Sequence, residues 1–296
     1  MIVANMILYL FKLIKAINHY TMVVDVFNNH YFYFYSIILD FEIVVNKISK
    51  FIANEVKRSN SKGVVLGLSG GIDSTVAVYL ATRGIDTKDI LGLIMPDSTV
   101  TSQMDIDDAV YISKKLNINY ILLDITDIKQ TYNKVLPDNQ LSKANLIARI
   151  RMNIIYYYAN LNNLIVIGTS DKSELKIGYF TKYGDGSADI LPLGDLYKSE
   201  VRELGKYLKI PISILYKKSS PSLLPGQTAE GEIGMEYTKI DNILRFLNEN
   251  ILLSKQLPES IPKGIGFDME DLRSVLHLIS KTEHKRNMPK ICLLKN

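Results

Sequence analysis

The sequence predicts an α/β fold: a doubly wound parallel sheet with extra helices towards the C-terminal end. Three observations carry this. Four short apolar runs, at 63–68, 90–95, 120–124 and 164–168, are uninterrupted rather than alternating, as strands buried on both faces are. Segments of helical period separate them, which is the order that yields a parallel sheet covered on both sides. The first run also breaks at once into glycines and re-enters a helix, as nucleotide-binding α/β folds do after their first strand. With 296 residues, 47% of them apolar, the chain can bury a substantial core.

The elements follow in order. Residues 40–58 place Phe41, Val44, Val45, Ile48, Phe51, Ile52 and Val56 at helical spacing between Lys and Glu, giving an amphipathic helix. The first strand at 63–68 ends in Ser69-Gly70-Gly71, and an apolar helix runs over 74–82. A second strand at 90–95, a helix at 105–116, a third strand at 120–124, a helix at 145–159 and a fourth strand at 164–168 complete the sheet. Beyond Ser170 a Gly-rich stretch gives way to helices at 198–208, 237–248 and 269–279. There is no internal repeat and no low-complexity linker.

Residues 1–36 differ from the rest, being apolar and aromatic with Lys12, Lys15 and Asp25 as their only charges. Those charges and Asn28, Asn29 and His30 cut the segment into stretches shorter than the roughly 20 residues a spanning helix needs. A basic segment before the apolar core and a small-residue cleavage site, the marks of a secretory signal, are absent. The segment reads as an extra helix or hairpin, or as translated upstream sequence, and is expected to be dispensable; residues 37–296 form the functional domain. Net charge is 35 − 31 = +4 with 22% charged residues, too mild a balance to call for nucleic acid. The single cysteine, Cys292, excludes a disulfide framework and a cysteine zinc site, and fits a reducing, cytoplasmic compartment with no membrane partner.

The clearest chemistry is Gly67-Leu68-Ser69-Gly70-Gly71-Ile72-Asp73-Ser74. A loop that leaves a strand and enters a helix aims its amides and the helix N-terminus at one point, an anion site. Glycines let the main chain approach a phosphate closely, Ser69 and Ser74 add hydroxyls, and Asp73 makes sense there with a cation beside it, for which Mg²⁺ is the usual choice. Neither the Walker pattern nor Gly-x-Gly-x-x-Gly is present. Glu174, in the segment following the fourth strand, projects at the same edge and is a candidate second metal ligand; taken alone, an exposed loop acid is the commoner reading.

Ser-Gly-Gly-x-Asp-Ser resembles the signature of the ATP pyrophosphatases, which adenylate a substrate and release pyrophosphate. Segments further on, 178–186 (Gly-Tyr-Phe-Thr-Lys-Tyr-Gly-Asp-Gly), 188–193 (Ala-Asp-Ile-Leu-Pro-Leu), Lys198, Gly226-Gln227-Thr228 and Thr282-Glu283-His284-Lys285-Arg286, resemble the ammonia-dependent NAD synthetases from about Phe41 to the end. The resemblance implies a Rossmann-like sheet of the adenine nucleotide alpha-hydrolase type and a ligase forming a C–N bond. It implies that residues 67–74 (Gly67, Leu68, Ser69, Gly70, Gly71, Ile72, Asp73, Ser74) with Thr169, Lys198 and Ser220 hold ATP, that Asp73 and Glu174 hold Mg²⁺, and that Arg149, Lys182, Asp189, His284 and Lys285 contact deamido-NAD. Asp73, Glu174 and Lys198 are the implied catalytic set, and a homodimer is implied.

Charge supports these assignments, since a pyrophosphate and a nicotinate carboxylate want Arg and Lys partners. Arg149 and Arg151 lie two apart on a helix and point in different directions, so one of them is expected at the surface. The family's usual Pro-Ser-Ala-Gly-Leu-Trp or Pro-Thr-Ala-Asp-Leu before Gly-Gln-Thr is here Ser219-Ser220-Pro221-Ser222-Leu223-Leu224, where Pro221 stiffens the chain next to Ser220, and Ala229-Glu230-Gly231-Glu232 follows with fewer acids than usual. The implied reaction amidates deamido-NAD to NAD through an adenylate, with AMP and pyrophosphate as by-products. Water must be kept out, so a lid is expected at 178–194 or 219–234. No glutaminase cysteine is available, so free ammonia is the nitrogen source. The alternative is another ATP pyrophosphatase with an RNA or small-molecule acceptor.

Overall fold

The computed structural model describes residues 20–21, 25–27, 30–32, 38–221, 223, 226–254, 261 and 265–294. The chain divides into two compact units, residues 1–48 and 49–296. In the first, strand β1 (Tyr20–Thr21) pairs antiparallel with β4 (Ile38–Leu39), and β2 (Asp25–Phe27) with β3 (His30–Phe32). The remainder of the reading of residues 1–36 lies outside the described residues. Helix α1 (Phe41–Arg58) matches the amphipathic stretch.

The second unit is built on four parallel strands: β5 (Gly63–Gly67), β6 (Ile90–Ile94), β7 (Asn119–Leu122) and β8 (Leu164–Val166). Their order is β7-β6-β5-β8, so the chain winds outward one way from β5 and then returns to β5's other side. Register places Val65 beside Leu91 and Val166. This is the doubly wound α/β fold the apolar runs predict, and its switch point lies between β5 and β8, where such folds leave a crevice beyond the strand ends.

Helix α2 (Ile72–Gly84) connects β5 to β6 and is buried from Ile72 to Ala81, apart from Asp73, because the sheet lies on one side of it and a later helix on the other. Helix α3 (Gln103–Lys115) packs on β6 and β7. Helices α4 (Thr126–Asn133) and α5 (Gln140–Asn162) make the return crossing, and α5 lays Ile147, Ile150 and Ala159 against Val65, Leu93 and Val166.

The remaining helices are α6 (Lys172–Ile177), α7 (Lys198–Tyr207), α8 (Ile212–Leu215), α9 (Ala229–Ile233), α10 (Tyr237–Ser254), α11 (Met269–Lys281) and α12 (Glu283–Arg286). They enclose a second core in which Ile177, Tyr237, Ile240, Ile243, Leu272 and Val275 are buried. Each such aliphatic side chain contributes about 1.5–3 kcal/mol on burial. Among the described residues no helix is long and apolar enough to cross a membrane.

Candidate functional site

The glycine loop closes on itself through its serines. Ser74 Oγ donates to Gly71 O (3.1 Å) and accepts from Ser69 N (3.3 Å), while Gly71 N donates to Ser69 Oγ (3.3 Å). Gly70 has φ +73°, and a Cβ there would lie 2.2 Å from the Asp105 carbonyl oxygen, so glycine is required by conformation and by space. The loop ends at Gly71, the N-cap of α2, which no side chain caps. The first amides of this 13-residue helix therefore face the crevice at the switch point, a site suited to phosphate.

Beside it lies a buried charge cluster. Asp73, in the first turn of α2, meets Lys198, the first residue of α7, at 2.8 Å; Asp171 and Glu174 approach the same ammonium at 2.9 and 2.8 Å. Asp171 and Glu174 form the capping box of α6, so the turn after β8 fixes both carboxylates. Lys198 and Asp171 have no side-chain exposure. Burial, reinforced by the neighbouring carboxylates, pushes Glu174 up to about 8 and Asp171 to about 6 against the pull of Lys198. Burial alone would lower Lys198, but the three acids hold it well above its ordinary value.

The donor set fits a small divalent cation. Three carboxylates against one ammonium amount to −3 + 1 = −2 when all are ionised. Asp73 Oδ1 and Asp171 Oδ2 are buried and make no hydrogen bond; their contacts to Lys198 are ion contacts outside hydrogen-bond geometry, which leaves acceptor capacity on both. Among the described residues no group of three or more acids, His or Cys is arranged to chelate an ion unaided. A cation here would draw its other oxygens from phosphates and water, as Mg²⁺ usually does.

The cluster stands on α10, a support the sequence reading missed. Fully buried Asp241 accepts from Ser199 N (2.8 Å) and from Ser173 Oγ, and Ser173 Oγ accepts from Lys198 N (3.0 Å). One turn earlier, Tyr237 sets its ring 5.1 Å below the Lys198 ammonium, with its hydroxyl buried and without a hydrogen-bond partner. Tyr237 and Asp241 are four residues apart, hence on one helix face; that spacing was the available signal, as Asp171-x-x-Glu174 was for the capping box.

The other expected residues gather at the edge beyond β8. Asp189 Oδ2 accepts from Val166 N (2.7 Å) and Oδ1 from the Tyr156 hydroxyl (3.3 Å), so this acid is fixed against the strand edge. Arg149 is exposed and donates to Lys182 O (3.2 Å), whereas Arg151 is more buried and reaches Met95 O (3.1 Å) at the end of β6. The two do point apart, yet both are anchored. Lys182 donates to His284 O, and Lys285 donates to Gly178 O (2.8 Å) and Phe180 O (2.7 Å). The charged run 282–286 is thus a clamp on the 176–182 segment, which Arg286 completes by bonding Lys176 O (3.0 Å). Thr169 is half-buried between β8 and α6. Ser220 is exposed, while Ser219 Oγ beside it is buried and makes no hydrogen bond.

The family model for NAD synthase matches residues 44–289, spanning the sheet, the glycine loop, the charge cluster and the clamp. The chain belongs to the NAD synthase family. Among curated NAD synthase relatives, the NH3-dependent NAD+ synthetase of Hyperthermus butylicus is 49% identical over 85% of this chain and 90% of its own length. That of Archaeoglobus fulgidus is 42% identical over 87% of this chain and 99% of its own. Solved folds agree. The NMN synthetase of Francisella tularensis matches with a TM-score of 0.73 and 34% identity, covering 86% of this chain and 99% of the other. The NH3-dependent NAD synthetase of Campylobacter jejuni matches at 0.72 and 33%, covering 86% and 100%.

Proposed function

We propose that the chain is an ammonia-dependent ligase that amidates deamido-NAD to NAD with ATP, releasing AMP and pyrophosphate. The observation that carries this reading is the uncapped helix start after the glycine loop, set against the buried Asp73–Asp171–Glu174–Lys198 cluster at the switch point. The amides of residues 70–73 and the hydroxyls of Ser69 and Ser74 hold the triphosphate, and Asp73 and Glu174 hold Mg²⁺. Mg²⁺ supplies charge neutralisation at the phosphates. Lys198 keeps the two ligand acids in place and its ammonium would contribute positive charge beside the leaving pyrophosphate.

The acid substrate lies towards Arg149, Lys182, Asp189, His284 and Lys285, with its carboxylate turned to the α-phosphorus. The adenylate that forms is consumed by ammonia. The 178–194 stretch is held by Lys285, by the Thr181 N–Asp185 bond (2.9 Å) and by the edge of β8, so it is a wall rather than a lid; the other expected lid, 219–234, lies partly outside the described residues. Residues 37–296 suffice for activity, as a cytoplasmic homodimer, and residues 1–36 are dispensable.

The test is to incubate purified protein with ATP, Mg²⁺, ammonium and deamido-NAD and to measure NAD, AMP and pyrophosphate. NAD and AMP in equal amounts, abolished by Asp73→Ala, support the reading; AMP without NAD overturns the acceptor. A second reading, NMN formation, is favoured by the Francisella tularensis neighbour. Offering nicotinate mononucleotide in place of the dinucleotide separates the two.

A further inference from the structure

Lys217 follows α8 and begins the segment that runs into 219–234, yet its ammonium reaches back to the glycine loop. Its Nζ lies 3.0 Å from Gly70 O, 2.7 Å from Asp105 Oδ1 and 2.7 Å from Asp108 Oδ2. Three donors meet three acceptors, so the ammonium is saturated. The acids are themselves fixed, both lying on α3, with Asp105 Oδ2 accepting from Ser102 Oγ (2.8 Å) and Asp105 N donating to the same hydroxyl (3.1 Å). All three side chains are largely covered, at 20%, 18% and 16% exposure, where a charge-assisted bond outweighs its surface counterpart.

The bond to Gly70 is the informative one. A peptide is planar, so holding the Gly70 carbonyl towards Lys217 turns the Gly71 N–H the opposite way, where it donates to Ser69 Oγ at the start of α2. Gly70 is also the loop residue whose left-handed backbone other residues resist. Lys217 on its oxygen and Ser69 Oγ on its N–H hold this Gly-Gly peptide from both sides, and without the lysine only the long 3.3 Å bond to Ser69 would oppose its rotation.

We propose that Lys217 is a positioning residue for ATP: a three-way clasp that fixes the Gly70–Gly71 peptide and ties the root of the 219–234 segment to the nucleotide loop. The clasp rests on reading that loop as the ATP site. Sequence gave no hint of it, because 147 residues separate Lys217 from Gly70.

The test compares Lys217→Met, Lys217→Arg and Lys218→Met in the full chain. Binding of a non-hydrolysable ATP analogue with Mg²⁺ is read by calorimetry, and KM for each substrate from turnover. Lys217→Met keeps the stem and removes the donors; it is expected to weaken analogue binding and raise KM for ATP roughly 10- to 100-fold. KM for ammonium and deamido-NAD should stay within about twofold. Lys217→Arg keeps the charge but presents a planar fork, and should recover only part of the loss. The exposed neighbour change Lys218→Met should have no effect.

Should Lys217→Met fail to fold, Asp105→Asn loosens the clasp while leaving the lysine on Gly70, and an intermediate rise in KM for ATP is expected. Analogue affinity within about twofold of wild type in folded Lys217→Met overturns the clasp. A wild type that binds no analogue overturns the ATP-loop reading and the clasp with it; the two failures are told apart by which protein binds.

Discussion

Adjacent glycines in the nucleotide loop should respond oppositely to the same substitution. At Gly70, alanine must adopt φ +73°, which costs an L-residue about 1–2 kcal/mol. Its Cβ would also sit 2.2 Å from the carbonyl oxygen of Asp105, which belongs to the first turn of α3 and cannot yield without shifting that helix. Relieving such an overlap costs about 1–3 kcal/mol more, for a total of about 2–5 kcal/mol. That corresponds to a melting temperature lowered by about 5–15 °C in a domain of this size.

At Gly71, φ is −92° and the nearest obstacle is Ser69 Oγ at 3.3 Å, so alanine should change stability by less than about 1 kcal/mol. It would, however, place a methyl group where the main chain must approach a phosphate, and ATP affinity should fall. Urea denaturation and analogue binding on both variants decide the matter. If Gly70→Ala is as stable as wild type, or if both variants lose stability equally, the account of the loop is wrong.

Three further outcomes are expected. Lys198→Met leaves three acids crowded without their cation and should cost on the order of 3–5 kcal/mol, with added Mg²⁺ raising its melting temperature more than that of wild type. Asp241→Asn strips an acceptor from either Ser199 N or Ser173 Oγ; a loss of about 1–3 kcal/mol by urea titration, with a lower kcat, should accompany displacement of Lys198. Asp97, fully covered and paired with Lys129, gives a pH signature. Burial would raise its carboxyl, but the hydrogen bonds from Lys129 and Thr99 outweigh it and hold the group below its ordinary 3.8. The stability it adds is therefore present above about pH 4 and lost on further acidification, so the deficit of Asp97→Asn, followed by thermal melts across pH, should be full at neutrality and vanish in acid.

The sheet was legible because its strands are buried on both faces: 63–68, 90–95 and 164–168 are continuous apolar runs, and β5, β6 and β8 occupy them. The strand expected at 120–124 runs over 119–122, starting one residue earlier at the polar Asn119 on the edge strand and ending two residues earlier. Helices α4, α6, α8, α9 and α12 are not foreseen, since four to eight residues show too little of a 3.6 period. Of the site, the glycine loop can be read directly because its chemistry is local, whereas Glu174 taken alone reads as an exposed loop acid and stands out through the resemblance. Asp171 could have been found from its capping-box spacing. Asp241 shares a helix face with Tyr237, but that spacing does not name its partners, and Lys217 carries no local signal at all, since each acts on residues more than 40 positions away. His284-Lys285-Arg286 reads as a charged run, and only folding turns its cations onto the carbonyls at 176–180.

That clamp bears on how the protein is made. A ribosome delivers the nucleotide loop by residue 74, the carboxylates and Lys198 by residue 198, Lys217 soon after and the supporting Asp241 last, so the ATP half lacks no part once residue 241 is made. The substrate wall waits for Lys285 to emerge, some hundred residues after the carbonyls it grips. Until then a nascent chain carries the parts proposed to hold nucleotide and an unfinished place for its acceptor.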